Sequence, residues 1–409
     1  MHHSRSRSPL CAFLAFAFTM STLSASVFGQ TEKILYAFTG FAGSSPVGKL
    51  IFDAAGNLYG TTTTGGSESG EGYGVVYELS PAAGGGWTQT VLYTFTGDSD
   101  GSQPLSGLVF DAAGNLYGTT GSGGAFGYGT VFELSPSSGG FWTEQALYNF
   151  SNSADGATPI GPLVFDTAGN LYGTCNSAGL HGQGVIFELT PVVGGGWAYS
   201  VILAGSQAHG GALSGGVVFD DDGNLYATAA ISGPFNAGAI YRLRYIAGAW
   251  KAAVIYTFQG GADGVAPISG LTYRDPGRFY GLTNLGGSFG YGTAFELTSG
   301  PDGTWSKSIL HNFGGSSTGG MPPIFSLTIG PSGQLYGTTD MGGSSGYGTA
   351  FELVERGGAW GEKILHDFTI GSDAGNPNGG VVLGSAGNLY GVGYNGGASG
   401  AGAVYEITP

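Results

Sequence analysis

The sequence predicts an all-β fold, a seven-bladed β-propeller of four-stranded blades closed into a ring by its own N-terminal strand. Three observations carry that prediction. A phrase clearest as Gly114-Asn115-Leu116-Tyr117-Gly118 returns seven times, with Tyr59, Tyr117, Tyr172, Tyr226, Tyr280, Tyr336 and Tyr390 standing 54 to 58 residues apart. A period of that length marks a repeat architecture. Each period holds four short apolar runs separated by turn residues, which is the spacing of strands rather than helices. The runs are also out of phase with the repeat: a fourth-strand run, Leu35-Tyr36-Ala37-Phe38, precedes the first full unit, and the last unit reaches Tyr405-Glu406-Ile407-Thr408-Pro409 without one. In a ring the first run completes the last blade and removes the edges that an open array would leave.

Taken in order along the chain, residues 1–29 read as a leader outside the ring. Arg5 and Arg7 precede an apolar stretch from Leu10 to Met20, and small residues follow at Ser24, Ala25 and Gly29, the plan of a secretory signal peptide. Residues 30–409 then form one propeller domain. In its second unit the four strands are Leu108 to Asp111, Leu116 to Thr120, Thr130 to Leu134 and Trp142 to Phe150. The third strand recurs from Val75, Thr130, Val185, Ala239, Thr293, Thr349 and Ala403. The 83 glycines fall at fixed offsets, where they supply positive φ in tight turns and let blades approach.

Composition narrows the function classes. The formal charge is −15, or −17 once Arg5 and Arg7 leave, and no Lys or Arg occurs between Lys49 and Arg242. Nucleic-acid binding needs a basic footprint, and none is present. Anionic membrane surfaces are disfavoured for the same reason, and no run beyond the leader approaches membrane-spanning length. The mature protein is expected to be exported, soluble and monomeric. Loss of Cys11 with the leader leaves Cys175 in a slot held by Thr62 and Thr120 in the neighbouring units, the position of a buried structural thiol.

The unit from Gly107 to Thr120, Gly-Leu-Val-Phe-Asp-Ala-Ala-Gly-Asn-Leu-Tyr-Gly-Thr-Thr, followed by Gly129-Thr130-Val131-Phe132-Glu133-Leu134, closely resembles the GloVer tandem-repeat family of exported bacterial proteins. The resemblance spans nearly the whole mature chain. It implies no established activity. The family is called "choice-of-anchor" for its varied C-terminal sorting segments, and no such anchor is expected here. More loosely, Asp-x-x-Gly-Asn-Leu-Tyr is similar to the turn of NHL-type propellers, among which are binding modules, lactonases and lyases; this supports architecture rather than chemistry.

That looser resemblance implies that the Leu-Val-Phe-Asp strand is innermost. The crossovers between blades and the loops from second to third strand then share one face, here called the top. Longer and more varied loops on a rigid scaffold are where binding sits. The candidate ligand-binding residues are therefore Tyr73, Tyr128, Tyr291 and Tyr347 of the Gly-Tyr-Gly loops, Phe126 beside them, the loop acids Asp100, Asp155 and Asp263, and the histidines His181 and His209. Aromatics could stack on sugar rings or a protein partner while acids and hydroxyls fix orientation. For a metal, the candidates are Asp53, Asp111, Asp166 and Asp220, which end four consecutive inner strands; the competing role is to accept backbone N–H groups in their own turns. The third-strand series Glu78, Glu133, Glu188, Glu296, Glu352 and Glu406 stands roughly 10 Å outside the inner strand and cannot converge on the axis.

No nucleophile elbow, phosphate loop, paired-cysteine zinc site or His-Glu-x-x-His occurs, so no catalytic residues are assigned and no cofactor is predicted beyond a divalent cation on the aspartates. The favoured reading is a non-catalytic exported module that binds a glycan, small molecule or protein on its top face. The alternative is a metal-assisted propeller enzyme, a lactonase, lyase or polysaccharide-cleaving protein, acting at the central channel.

Overall fold

Seven antiparallel sheets are arranged as blades around a central axis in the computed structural model, which describes residues 31–206, 210–314, 320–323 and 325–409. The expected leader, residues 1–29, and His209 lie outside the described residues. Blade 1 consists of Ser44–Phe52, Leu58–Thr64, Val75–Pro81 and Trp87–Thr94, hydrogen-bonded in that order from inner to outer strand. Blade 2 repeats the plan with Val109–Phe110, Leu116–Thr120, Thr130–Pro136 and Trp142–Asn149. In blades 3, 6 and 7 the inner strand is split into two short pieces, as in Ala157–Pro159 and Val164–Phe165. There is no α-helix among the described residues, and the one short helical turn is the 3-10 segment Gly261–Asp263.

The last blade closes as the one-strand offset predicts. Thr31–Ala37 pairs with Ala403–Thr408, with Ile34 opposite Tyr405, and becomes the outer strand of blade 7. Ser45 N–H donates to Ala401 C=O at 2.8 Å and Gly48 N–H donates to Asn378 C=O at 2.8 Å, so the first inner strand is stitched to the last blade.

The core lies between blades, and one contact builds most of it. A phenylalanine at the end of each outer strand meets the central aromatic of the next blade's third strand: Phe95 with Phe132, Phe150 with Phe187, Phe258 with Phe295, Phe313 with Phe351 and Phe368 with Tyr405, at centroid distances of 4.9–5.5 Å. The closing seam uses the same pair, Phe38 with Tyr77 at 5.1 Å. Edge-to-face and tilted pairs of this kind add to the burial of large apolar area. Only between blades 3 and 4 is the pattern broken, because Gly205 stands where the others have phenylalanine.

The repeated Gly-Asn-Leu-Tyr-Gly phrase now has a packing explanation. Its final glycine, Gly118 in blade 2, lies directly opposite Phe132 on the third strand, and a methyl group on it would stand 2.5 Å from Phe132 Cζ. Gly60, Gly173, Gly281, Gly337 and Gly391 make the same platform for an aromatic ring. In blade 4 Ala227 replaces it opposite Tyr241, whose hydroxyl pairs with Ser232 at 3.1 Å.

Candidate functional site

The four inner-strand aspartates are held by their own turns. Oδ1 of Asp53, Asp111, Asp166 and Asp220 accepts two backbone N–H groups at 2.8–3.0 Å. Oδ2 accepts the Asn side-chain amide at 2.8 Å and the tyrosine hydroxyl at 3.0–3.2 Å. The Asp, Asn and Tyr of Asp-x-x-Gly-Asn-x-Tyr are thus one hydrogen-bonded turn. Burial pushes the Asp53 and Asp111 carboxyls up, but the donors outweigh it, and both lie below the ordinary aspartate range. Where blades 5 to 7 lack the aspartate, the tyrosine finds another partner: Arg274 donates to Tyr280 at 2.6 Å, Gln334 donates to Tyr336 at 3.0 Å, and Tyr390 donates to Glu406 at 2.8 Å.

The third-strand glutamates sit opposite those tyrosines, as in the pairs Tyr117 with Glu133 and Tyr172 with Glu188. Ser135 donates to Glu133 at 2.9 Å and Tyr172 donates to Glu188 at 2.7 Å. Glu78, Glu133, Glu188 and Glu406 take part in local hydrogen bonding within their own blades, and Glu296 and Glu352 pair with Arg278 and Lys363.

On the top face the loop acids behave like the inner aspartates. Asp100 accepts Tyr93 Oη at 3.0 Å, Thr96 N–H at 2.8 Å and Thr96 Oγ1 at 2.7 Å. Asp155 accepts Tyr148 Oη and both the N–H and Oγ of Ser151 and Ser153. Asp263 accepts Tyr256 Oη at 2.8 Å and Gln259 N–H at 2.8 Å, and pairs with Lys307 at 2.9 Å. These three acids fasten each crossover to the outer strand it leaves.

The aromatic candidates are disposed differently. Tyr73, Phe126, Tyr128 and Tyr291 are exposed at 40–60% of their surface, and Tyr347 is half-buried. Their backbone carbonyls hold the next blade, since Gln103, Thr158 and Asn376 N–H donate to Tyr73, Tyr128 and Tyr347 C=O at 2.7–3.0 Å. The fold therefore uses the main chain and leaves the rings of Tyr73, Tyr128 and Tyr291 outward, while that of Tyr347 packs against the core. Six further large apolar side chains are exposed on this face: Phe41, Leu180, Ile231, Phe235, Leu285 and Met341. Sequence reasoning missed them because it followed the repeated Gly-Tyr-Gly, and they occur where the copies differ. Phe289 belongs to the same rim. His181 is exposed in the blade 3 loop beside Leu180.

Two concave sites lie elsewhere. A groove of about 640 Å³ on the opposite face separates blades 3 and 4, the seam without the phenylalanine pair. Tyr245 and Trp250, brought together by the tight Ala247–Gly248 turn, wall it beside Asp166, Asp220 and Asp222. The central channel encloses about 490 Å³ and is lined by all seven blades. Among the described residues its lining contains no carboxylate, imidazole or thiol, and one charged group, Lys49.

One group of side chains among the described residues has metal-ligating spacing: Glu32, His366 and Asp373, whose ligand atoms lie within 4.8 Å of one another at the outer rim between blades 6 and 7. Asp373 is 3.1 Å from His366 Nε2 and also accepts Thr369 N–H and Oγ1. Burial, with Asp373 beside it, pushes Glu32 up to about 7. Cys175 is fully buried and free, and burial pushes its thiol well up, the state of an unreactive core thiol.

Comparison with known proteins agrees with this architecture. The family model described as the Gloeobacter/Verrucomicrobia repeat matches residues 16–211 and 212–409. No curated protein is significantly similar in sequence. Among solved structures, a protein provisionally assigned as a 6-phosphogluconolactonase from Bacteroides uniformis superposes with a TM-score of 0.50 at 16% identity, over 77% of this chain and 83% of that one. A second such protein, from Bacteroides fragilis, gives 0.48 at 14% over 77% and 82%. A protein of unknown function from Dyadobacter fermentans gives 0.43 at 13% over 93% and 100%. At these identities the likeness extends to the fold alone.

Proposed function

This chain belongs to the Gloeobacter/Verrucomicrobia repeat family, and from that premise we propose that it is an exported, non-catalytic binding propeller whose loop-rich top face captures a glycan. The observation that carries the reading is the apolar rim: the loops between second and third strands of five of the seven blades expose at least one large aromatic or aliphatic side chain, and Met341, at the end of the second strand of blade 6, adds a sixth position. Exposed apolar groups gathered on one face mark an interaction surface. Pyranose faces stack on such rings, and the hydroxyl and backbone groups of the Gly-rich loops supply the directional contacts. Export follows from the leader pattern at residues 1–29.

A glycan array probed with mature protein tests this. Binding is expected for the wild type, loss for the double variant Phe126→Ala and Tyr128→Ala, and retention for Phe141→Ala, which alters an exposed ring on the opposite face. Retention by the double variant with loss in Tyr245→Ala would move the site to the groove between blades 3 and 4. No glycan bound by the wild type would overturn the glycan reading and leave a protein partner as the ligand to seek.

A further inference from the structure

Position 49 is where the repeat is broken most sharply. Aligning the inner strands puts Gly107, Pro162, Gly216, Gly270, Ser326 and Gly380 in the slot that Lys49 takes in blade 1. Six blades thus bring a small or rigid residue to the axis, and one brings a long cation. Lys49 reaches past the inner strand of blade 7, and its Nζ donates to Thr328 Oγ1 of blade 6 at 2.8 Å. That hydroxyl in turn donates to Val381 C=O. No carboxylate lies within ion-pair distance of Nζ among the described residues, and residues 1–30, 207–209, 315–319 and 324 contain no Asp or Glu. Two of the three ammonium protons therefore have no protein acceptor in the described structure. A partly buried charge is retained at low cost only when it is paired or hydrogen-bonded.

We propose that the central channel is a binding site for a small organic monocarboxylate, whose charge is taken up by the Lys49 ammonium. The channel, at about 490 Å³, is in the range of small-molecule sites. Leu105, Ile160, Ile268 and Phe325 offer apolar wall for the body of such a ligand, and Ser214 and Ser326 offer hydroxyl donors, whereas Ser106 and Ser269 already donate to backbone carbonyls. One cation with neutral neighbours fits a monoanion. A dianionic phosphate calls for several donors or cations, and a cationic ligand would meet Lys49 directly.

The electrostatics give the site two signatures. Burial lowers Lys49 to about 8. An anion favours the charged amine, so bound ligand raises that value and affinity falls as pH rises through it. The protein's net charge of −15 repels anions at long range, and salt screens this repulsion more than it screens the enclosed contact. Binding is expected to hold or tighten between low and physiological salt, the opposite of an exposed basic patch.

Isothermal titration with benzoate as the probe tests the proposal on the mature full chain. At pH 6.5 the wild type should bind and Lys49→Met should bind at least about tenfold more weakly, while melting no lower than the wild type. At pH 9.5 the wild type should lose more than tenfold in affinity, whereas Lys49→Arg, whose guanidinium stays charged, should bind at both pH values. Tyr128→Ala should leave benzoate binding unchanged, so failure here is separable from failure of the glycan reading. No binding by the wild type at millimolar benzoate, wild-type affinity in Lys49→Met, or equal pH dependence in Lys49→Arg would each overturn it.

Discussion

Gly118 and Asp111 show how much of this repeat is structural. Gly118 is a platform on which the Phe132 ring lies, and Asp111 holds together a turn with Asn115 and Tyr117. Gly118→Val is expected to cost about 1–3 kcal/mol through overpacking, a melting decrease of a few degrees by calorimetry. An unchanged melting point would mean that the aromatic is not what demands glycine. The phrase itself was readable in the sequence. Its roles were not, because the partner of Gly118 lies on the next strand and the tyrosine hydroxyl bends back to an aspartate six residues earlier. The same mixture holds for the candidate residues: Asp100, Asp155 and Asp263 have their carboxylates engaged by their own loops, while Tyr73, Tyr128 and Tyr291 keep exposed rings.

At the scale of the element, the seams between blades differ more than the blades do. The outer-strand residue two after the tryptophan reaches toward the preceding crossover: Lys307 pairs with Asp263, but Glu144 faces Asp100. Burial, with Asp100 beside it, pushes Glu144 up to about 7. Its folded value lies above the unfolded one near 4.5, so its contribution to stability is full below pH 4.5 and is lost as pH rises through about 7. Wild type should therefore lose stability relative to Glu144→Gln between pH 5 and pH 8, by about 1–3 °C in melting temperature given the partial exposure of the site. Parallel melting curves for the two proteins across that range would remove the effect. Nothing in the sequence singles out Glu144, because the acid it meets belongs to the crossover loop of the preceding blade.

For the whole molecule, closure is the decisive feature. Thr31–Ala37 supplies the outer strand of blade 7, and Leu35 and Phe38 are buried against blade 1 and the last blade. A chain beginning at residue 39 leaves a bare edge and an uncovered core at that seam. It is expected to melt at least about 10 °C below the mature protein or to aggregate, with partial recovery on adding a peptide of residues 30–39. A truncated chain as stable as the mature one would show that the ring does not depend on this strand.

The sequence by itself determined the all-β class, the number and order of blades and the one-strand offset that closes the ring. These are written in local patterns, strand alternation and turn chemistry, repeated often enough to be counted. Only the tertiary structure decided which side chains the fold consumes and which it leaves over. The rim on the top face collects non-repeating residues from six blades, and Lys49 meets a hydroxyl 279 residues away. Such contacts arise when distant segments are brought to one face or one axis, and no spacing within a single repeat encodes them.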